Sequence, residues 1–314
     1  MARYLFKRLL ELLPTLLLIT LLSFALMRLA GSDAVLQKME NTGTVLSAEE
    51  LAHARAALGL DQPFFVQYGR WLFDLLHGDL GTSYVSGKEV FTTLWDKLPA
   101  TLTLAGVSLG MTILLSVPLG IVAAVYQNRL PDRIIRFFTF LGNSLPNFFV
   151  ALLLLLLFAI KLRLFPVITI ERNAQSVFLP SLTLCIAMSS KYTRQVRTVV
   201  LEELGKEYVL AATARGVRFS TTLCKSVLRA VLVQLFTLMT LSAGSLLGGT
   251  AIVESIFLWD GMGKLAADAI QMRDIPIVQA YVLWMAILYV LLHLAADLCY
   301  GLLDPRIRLG GKTA

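Results

Sequence analysis

Cysteine, histidine and charged residues are all scarce in this 314-residue sequence, which has three Cys, three His and 16% charged residues. Cys185, Cys224 and Cys299 stand singly in or beside apolar runs, with no CxxC or other ligand spacing. Such scattered cysteines indicate neither a disulfide framework nor a zinc site, and packing is their expected role.

The side-chain patterns of metal, hydrolytic and nucleotide sites are also missing. His53 and His77 have no accompanying Cys or carboxylate pattern, and there is no HExxH helix or Ser-His-Asp order. Gly87-Lys88 is followed by Glu89, and Thr82 stands where a Walker A loop has its first glycine. We therefore predict that the chain is not an enzyme, has no catalytic residue and binds no metal, cofactor or nucleotide.

Apolar residues dominate instead, with 57% hydrophobic residues and a mean hydropathy of +0.72. This composition predicts an integral, multi-pass, all-α membrane protein. Six runs have nearly the ~20 residues that cross a bilayer. These predicted spans are residues 9–29, 102–125, 137–160, 177–198, 231–253 and 278–298.

Two of these runs need comment. The first is too long for the apolar region of a signal peptide and predicts a retained span, with cleavage after Ala30-Gly31 as the alternative. Lys191, Arg194 and Arg197 interrupt the fourth run, so its helix is expected to leave the membrane and continue.

The distribution of charge predicts the orientation. Residues 30–98 hold nine Asp and Glu against five Lys and Arg, and residues 254–276 hold four against two. The basic segments predicted to be cytoplasmic are 1–8, 127–136, 191–229 and 304–314. Both termini are therefore predicted inside, and this distribution explains the net charge of +7 without a nucleic-acid partner.

Residues 30–98 predict an ordered outer cap rather than a linker. Ser47 and Glu50 have the spacing of a capping box that opens a helix, Gly59 would close it, and Pro63 would start a second helix. This second helix carries an apolar face that must pack on the bundle or the membrane interface. The face comprises Phe64, Phe65, Tyr68, Trp71, Leu72, Leu75 and Leu76.

The predicted cytoplasmic loop, residues 201–229, contains its own helix signal. Glu207 to Ala214 has good helix formers with an acid first, and Gly216 just past its end can adopt the left-handed conformation that ends a helix. Ala211, Ala212 and Ala214 leave a surface that another protein could approach closely. On local sequence alone, a solvated loop helix is an equal alternative.

Polar residues within the spans are candidates for a translocation path. Asn143, Ser144 and Asn147 flank Pro146 in the third run, and a broken helix at membrane depth is tolerated only against protein or a water-filled cavity. Ser242 and Ser245 lie in the fifth run among glycines that favour close packing. In the last run, His293 and Asp297 are one helical turn apart and form a candidate polar pair, for which an interhelical hydrogen bond is the structural alternative.

The predicted cytoplasmic loop contains Glu207-Tyr208-Val209, Ala211-Ala212 and Ala214-Arg215-Gly216, followed by Leu228-Arg229. This stretch resembles the EAA-type loop of ABC importer permeases, in the form EYVxxAxARG followed by LRNA that the peptide and nickel branch uses, and the resemblance extends along nearly the whole chain. Further matches are Leu58-Gly59-Leu60-Asp61-Gln62-Pro63, Gly78-Asp79-Leu80-Gly81, Leu98-Pro99-Ala100-Thr101, Pro118-Leu119-Gly120, Val253-Glu254, Arg273-Asp274 and Asp304-Pro305-Arg306. Two departures are Asp260, where the family usually has the Pro of a PGxG turn, and Ala230, where it has the Asn of LRNA. We expect the first to loosen an outer turn and the second to loosen the junction with the fifth span.

The resemblance implies a type I ABC importer permease in the bacterial inner membrane. Its implied partners are a second homologous permease, two ATPase subunits and an extracytoplasmic solute-binding protein, with lipid around the spans. The residues that would couple the chain to an ATPase are Glu207, Tyr208, Ala211, Ala212, Arg215 and Gly216. The overall likeness is nearest to the nickel permease B subunit, so nickel or a nickel chelate is the expected cargo. Di- or oligopeptides are the alternative, and a stand-alone channel or secondary transporter is a second alternative.

Overall fold

The computed structural model describes residues 2–29, 35, 39, 47–57, 59–167 and 173–303, without the side chains of 2–12, 296–303 and several positions between 233 and 249. Within these residues the regular structure is helical, with one isolated β-bridge between Thr82 and Glu89. The chain divides into two compact units, Met1–Thr101 with Asp260–Val290, and Leu102–Trp259 with Leu291–Ala314.

The first unit contains α1 (Ala2–Leu29), α2 (Ala48–Ala57), α3 (Phe64–Leu76), the start of α4 (Val90–Val125), α11 (Met262–Gln271) and the start of α12 (Ile275–Leu303). The capping box that begins α2 is confirmed, because the Ser47 amide donates to Glu50 Oε2 at 2.8 Å and the Glu50 amide donates to Ser47 Oγ at 3.3 Å. Hydrogen bonds from the backbone amide and the side chain of Ser47 to the carboxylate lower the pKa of Glu50. Gly59 follows α2 with a φ of +65°, and Pro63 is the N-cap of α3, as the sequence predicts.

Part of the predicted apolar face of α3 packs on α1, whereas Phe65 and Leu76 are 76% and 78% exposed. The ring of Phe24 lies 5.4 Å from that of Phe64, 5.6 Å from that of Tyr68 and 5.7 Å from that of Trp71, measured between centroids. Tyr68 Oη also lies 3.0 Å from Thr20 Oγ1. The helix therefore packs on the bundle, which is one of the two predicted alternatives.

The segment just after the Gly78–Gly81 motif contacts the Arg273-Asp274 motif in the first unit. Asp274, only 4% exposed, accepts hydrogen bonds from Ser83 Oγ at 2.5 Å and from the Tyr84 amide at 3.0 Å. Beside them, Val90 and Leu94 of α4 are buried with Met262 of α11 in one apolar cluster. The chain segment before α4 is thereby fixed to the turn between α11 and α12.

The second unit contains the rest of α4, α5 (Leu130–Ser144), α6 (Asn147–Leu154), α7 (Ala174–Leu204), α8 (Glu207–Ala214), α9 (Phe219–Thr222) and α10 (Leu228–Ile256). π-Helical segments follow α6 at Leu155–Lys161 and precede α10 at Leu223–Val227. As expected, α7 runs without a break through Lys191, Arg194 and Arg197 to Leu204.

The predicted span of residues 137–160 is broken in the structure, at the polar residues where the sequence analysis considers a broken helix. α5 ends at Ser144 and α6 begins at Asn147, and the two are bent by 102°. Pro146 causes the break, because its ring disfavours the α conformation of the residue before it, and Leu145 has φ −87° and ψ 131°. The polar pattern of Asn143 to Asn147 therefore coincides with a real break.

By length and apolar composition, two helices in the described part of the chain could each cross a membrane, Val90–Val125 and Ile275–Ala295. A third crossing is added if the bent pair of α5 and α6 is taken as one span. The part of α1 whose side chains are described, Leu13–Leu29, is a shorter apolar segment. The six spans and the orientation of the termini stay predictions.

Candidate functional site: the α8 helix and its support

α8 occupies the predicted residues, Glu207 to Ala214. Lys206 precedes it in an extended conformation, and Gly216 follows it with a φ of +75°. The Gly216 amide donates to Thr213 O at 2.9 Å and the Val217 amide to Ala212 O at 3.1 Å, the pattern of a Schellman motif. The left-handed glycine that the sequence predicts is confirmed.

One side chain anchors α8 to the bundle. Val209 is its buried residue, 7% exposed, and joins an apolar cluster with Val196 and Val200 of α7. Val227 and Val231, on either side of the start of α10, complete that cluster. Sequence reasoning missed Val209 as an anchor, because its apolar neighbour Leu210 gives the same local signal and is exposed.

A polar contact fixes the start of α8 beside this anchor. Tyr208 Oη donates to Glu203 Oε1 at 3.0 Å, and Lys206 Nζ lies 2.6 Å from Glu203 Oε2. Glu203 is the last acid of α7 and is only 4% exposed. Burial and the neighbouring Glu203 carboxylate together raise the pKa of Tyr208 to about 12, so the phenol stays a donor at neutral pH.

The rest of α8 faces outward. Of the six predicted coupling residues, Ala212 is half-buried, and Glu207, Tyr208, Ala211, Arg215 and Gly216 are exposed. Leu210, which the sequence prediction omitted, is 66% exposed and projects from the same helix. Beyond the helix, Val217 and Phe219 are 41% and 50% exposed. The helix thus carries a surface of apolar and small side chains on a rigid support.

α7 is the support that holds this region to α5. Asp132 is fully buried and pairs with Arg197, with Nε to Oδ1 at 2.8 Å and Nη2 to Oδ2 at 2.9 Å. The Asn128 amide donates to Asp132 Oδ2 at 2.8 Å, and Arg136 Nε lies 3.3 Å from Oδ1. The two bonds from Arg197 and the bond from the Asn128 amide satisfy the hydrogen-bonding groups of the buried Asp132 carboxylate. Arg197 therefore has a structural role, in addition to interrupting the apolar run of the sequence.

Glycines permit the close packing of helices on α7. A Cβ on Gly120 of α4 would lie 2.6 Å from Val196 Cβ and 2.9 Å from Thr193 O. A Cβ on Gly142 of α5 would clash with Ser190 Oγ and would lie 3.6 Å from Ile186 O. Gly120 belongs to the Pro-Leu-Gly motif of the sequence, and its small size is needed at this contact.

The predicted path residues are only partly brought together. Asn143 and Ser144 are exposed at the end of α5, where Ser144 Oγ donates to Phe140 O at 2.9 Å, and Asn147 is half-buried at the start of α6. The side chains of Ser242, Ser245 and Asp297 lie outside the described residues. His293 is half-buried, and its predicted pairing with Asp297 stays a prediction.

Within the described residues, no group of three or more His, Cys, Asp or Glu is arranged to hold a metal ion.

An ion pair involves Asp260, in the turn before α11. Lys97 Nζ lies 2.5 Å from Asp260 Oδ1 and 2.6 Å from Oδ2, within the first unit. Asp260 stands before Gly261, the N-cap of α11, and the Met262 amide donates to Thr101 Oγ1 at 2.8 Å. The expectation of a looser turn did not take this ion pair into account. The pair joins Asp260, which occupies the family's usual proline position, to α4.

Comparison with known proteins identifies the family. Residues 116–309 match the family described as binding-protein-dependent transport system inner membrane component, and residues 1–105 match the corresponding N-terminal family. The chain belongs to this family of ABC importer permeases. The permease is accordingly a transport subunit rather than an enzyme, and ATP hydrolysis belongs to a separate subunit.

Curated relatives cover the whole permease. The glutathione transport system permease protein GsiC of Salmonella paratyphi A is 36% identical over 308 residues, 98% of this chain and 99% of the relative. GsiC of Escherichia coli K12 is 33% identical over the same shares of the two chains. These relatives are named for glutathione and not for nickel, so they favour the peptide alternative over the nickel prediction.

A solved structure shows the same fold. A chain of the MetNI methionine ABC transporter, in an inward-facing conformation, matches with a TM-score of 0.57 at 16% identity. The match covers 67% of the permease and 96% of that chain. The all-α prediction and the type I importer permease fold are thereby confirmed.

Proposed function

We propose that this permease forms half of the translocation path of an ATP-driven importer of short peptides, and that α8 docks on an ATPase subunit. The observation that carries the docking role is the construction of α8, which is anchored through Val209 and exposes most of its other side chains. A helix that served only as a connection would need neither the buried anchor nor an exposed Leu210.

The proposed cargo is a glutathione-type or other short peptide. The GsiC relatives support this cargo, since they align with the permease from end to end. The proposed partners are a second permease of the same family, two ATPase subunits and a solute-binding protein that delivers the peptide outside. Both termini and α8 lie in the cytoplasm in this arrangement.

In the proposed cycle, ATP binding closes the two ATPase subunits and moves the docked α8. The helix moves with α7 because Val209 is packed against Val196 and Val200. The two permeases then exchange between inward-open and outward-open states. This exchange requires that the contacts with the ATPase subunits differ between the two states, and it needs no reacting group in this chain.

Uptake assays test the cargo. A strain that lacks this chain is supplied separately with labelled glutathione, labelled dialanine and nickel ion. We expect it to lose uptake of glutathione or dialanine and to keep nickel uptake, with recovery when the chain is restored. Loss of nickel uptake alone would replace the peptide cargo by the nickel cargo.

Co-purification tests the docking surface. Ala211→Glu places a charged side chain on the exposed small surface of α8, and Ala57→Glu makes the same change on an exposed position of α2. We expect Ala211→Glu to abolish recovery of the ATPase with the permease and Ala57→Glu to leave it unchanged. Recovery of the unaltered chain without any ATPase, from mildly solubilised membranes, would favour a stand-alone transporter.

A further inference from the structure

The helix α3 exposes large apolar side chains beside the face that packs on α1. Phe65, Phe73 and Leu76 are 76%, 62% and 78% exposed. They recur at positions i, i+8 and i+11, so they lie along one side of the helix, and we call them the exposed stripe. Single exposed apolar residues are ordinary, but a stripe of large ones indicates a contact with another molecule.

The start of α3 contacts α1 near the outer end of a predicted membrane span. The ring of Phe24 lies 5.4 Å from that of Phe64 and 5.6 Å from that of Tyr68, measured between centroids. Along α1, Phe24 is about 7 Å from Leu29, where both the helix and the predicted span end. In that span, α3 therefore begins close to the depth at which acyl chains meet headgroups.

The chain returns to the same depth just after α3. Leu80 packs on the apolar cluster that contains Val278, and Met27 of α1 packs on the same cluster. Met27 is one helical turn from Phe24, and Val278 is the outer end of the last predicted span. Because both ends of α3 lie at one level, the helix runs along the membrane surface. Its 13 residues, about 20 Å, are also too few to cross a hydrocarbon core of about 30 Å.

The polar side of α3 points away from the exposed stripe. Arg70 and Asp74 are exposed and lie on the opposite side of the helix by their spacing. Tyr68 and Trp71, on the face toward α1, belong to the residue types that are enriched where membrane meets water. A short helix with an apolar side and an opposite charged side has the composition of an interfacial helix.

We propose that α3 lies in the membrane–water interface on the extracytoplasmic side. The exposed stripe contacts acyl chains, and Arg70 and Asp74 face water. The partner of this surface is the lipid bilayer, which binds the stripe by burial of apolar area and holds the predicted outer cap at the height of the membrane surface. The proposal requires that α1 crosses the membrane, and it is independent of the cargo and of ATPase docking.

Spin-label accessibility tests the surroundings of the stripe. Phe65→Cys, Phe73→Cys and Leu76→Cys are made singly in a full-length chain whose three native cysteines are serine. Each variant is labelled and reconstituted into bilayers of phosphatidylethanolamine and phosphatidylglycerol. Collisions of the label are measured with oxygen, which concentrates in acyl chains, and with chromium oxalate, which stays in water. We expect oxygen to dominate at the three stripe positions, and chromium oxalate to dominate in the control Asp74→Cys, one residue from Phe73 on the polar side.

The two ends of the stripe report the direction of the helix. Phe65 and Leu76 are 11 positions apart, about 16 Å along α3. We expect their labels to lie at the same depth within about 5 Å, whereas a helix that entered the membrane end-on would separate them by most of the 16 Å. Such a separation would overturn the proposed orientation.

Two other results would overturn the lipid contact. Equal collisions with chromium oxalate at the stripe and at Asp74→Cys would place the stripe in water. Low collisions with both reagents at the stripe would show that protein covers it, such as the second permease. Because the readout is label collision in a bilayer, a negative uptake assay leaves this test unaffected.

Discussion

Gly216 offers the sharpest test of how α8 is held. A Cβ added at Gly216 meets no heavy atom within 4 Å, so Gly216→Ala changes only the backbone energy at a φ of +75°. A non-glycine residue in the left-handed conformation costs roughly 1–2 kcal/mol, a factor of about 5–30 in the equilibrium between closed and open turn. α8 has eight residues and is too short to be stable without its tertiary contacts and its cap. We therefore expect the last turn of the helix in Gly216→Ala to be open about 5–30 times more often.

Hydrogen exchange measures that opening directly. The amides of residue 216 and Val217 are protected by hydrogen bonds to Thr213 O at 2.9 Å and Ala212 O at 3.1 Å. In Gly216→Ala they should exchange about 5–30-fold faster, in proportion to the added population of the open turn. Recovery of the ATPase with the permease should fall in parallel.

The same loop contains a matched control. Gly205, the C-cap of α7, has a φ of −78°, and a Cβ there would lie 3.5 Å from Glu202 O and 3.6 Å from Leu201 O, which is ordinary contact. Gly205→Ala should leave exchange and ATPase recovery unchanged, and Gly216→Asn should be milder than Gly216→Ala because Asn tolerates the left-handed region. Equal exchange in the two alanine variants would refute the argument that the left-handed turn maintains α8.

Further changes separate the supporting contacts from the docking surface. Val209→Ala removes buried methyl groups and should lower stability by about 2 kcal/mol in a chemical unfolding titration, whereas Leu210→Ala should keep stability and weaken ATPase recovery. Asp132→Asn breaks a buried ion pair and should cost about 3–5 kcal/mol in the same titration, while Arg136→Gln, at a half-exposed partner, should cost at most about 1 kcal/mol. The pKa of Tyr208 is raised from 10.0 to about 12. The stability that its protonated hydroxyl contributes is therefore intact below pH 10 and is lost as pH rises through 12. Tyrosinate absorbance, compared with that of Tyr208→Phe, should show this late titration.

Local signals in the sequence account for the correctly predicted elements. α8 begins with an acid and ends at a glycine, and the α2 capping box lies within four residues, so each boundary depends on chemistry within one helical turn. The break at Pro146 also has a local cause, but the 102° bend could not be predicted, because the apolar run continues on both sides and hydropathy does not report direction.

Ion pairs between residues far apart in the sequence could not be predicted from such local signals. Asp132 and Arg197 are 65 positions apart, and neither local sequence indicates that their charges meet in a buried pair. Lys97 and Asp260 are 163 positions apart. Asp260 in place of the family's usual proline suggested a loose turn because the sequence does not show that Lys97 pairs with it. A charged residue in an apolar environment indicates that a partner exists, and only the fold identifies it.

The arrangement along α7 explains how docking at α8 would reach the rest of the second unit. Val196 and Val200 hold Val209 of α8, and Arg197, within the same turn of α7, holds Asp132 of α5. α5 ends where the chain bends by 102° into α6. A displacement of α8 therefore acts on α7 beside the Asp132–Arg197 ion pair, which fixes α5. Along the chain after Asp132, the bend at Pro146 is the first point where the helix is interrupted. If the proposed coupling is correct, Asp132→Asn should reduce peptide uptake per ATPase bound, because it loosens this connection while leaving the exposed surface of α8 unchanged.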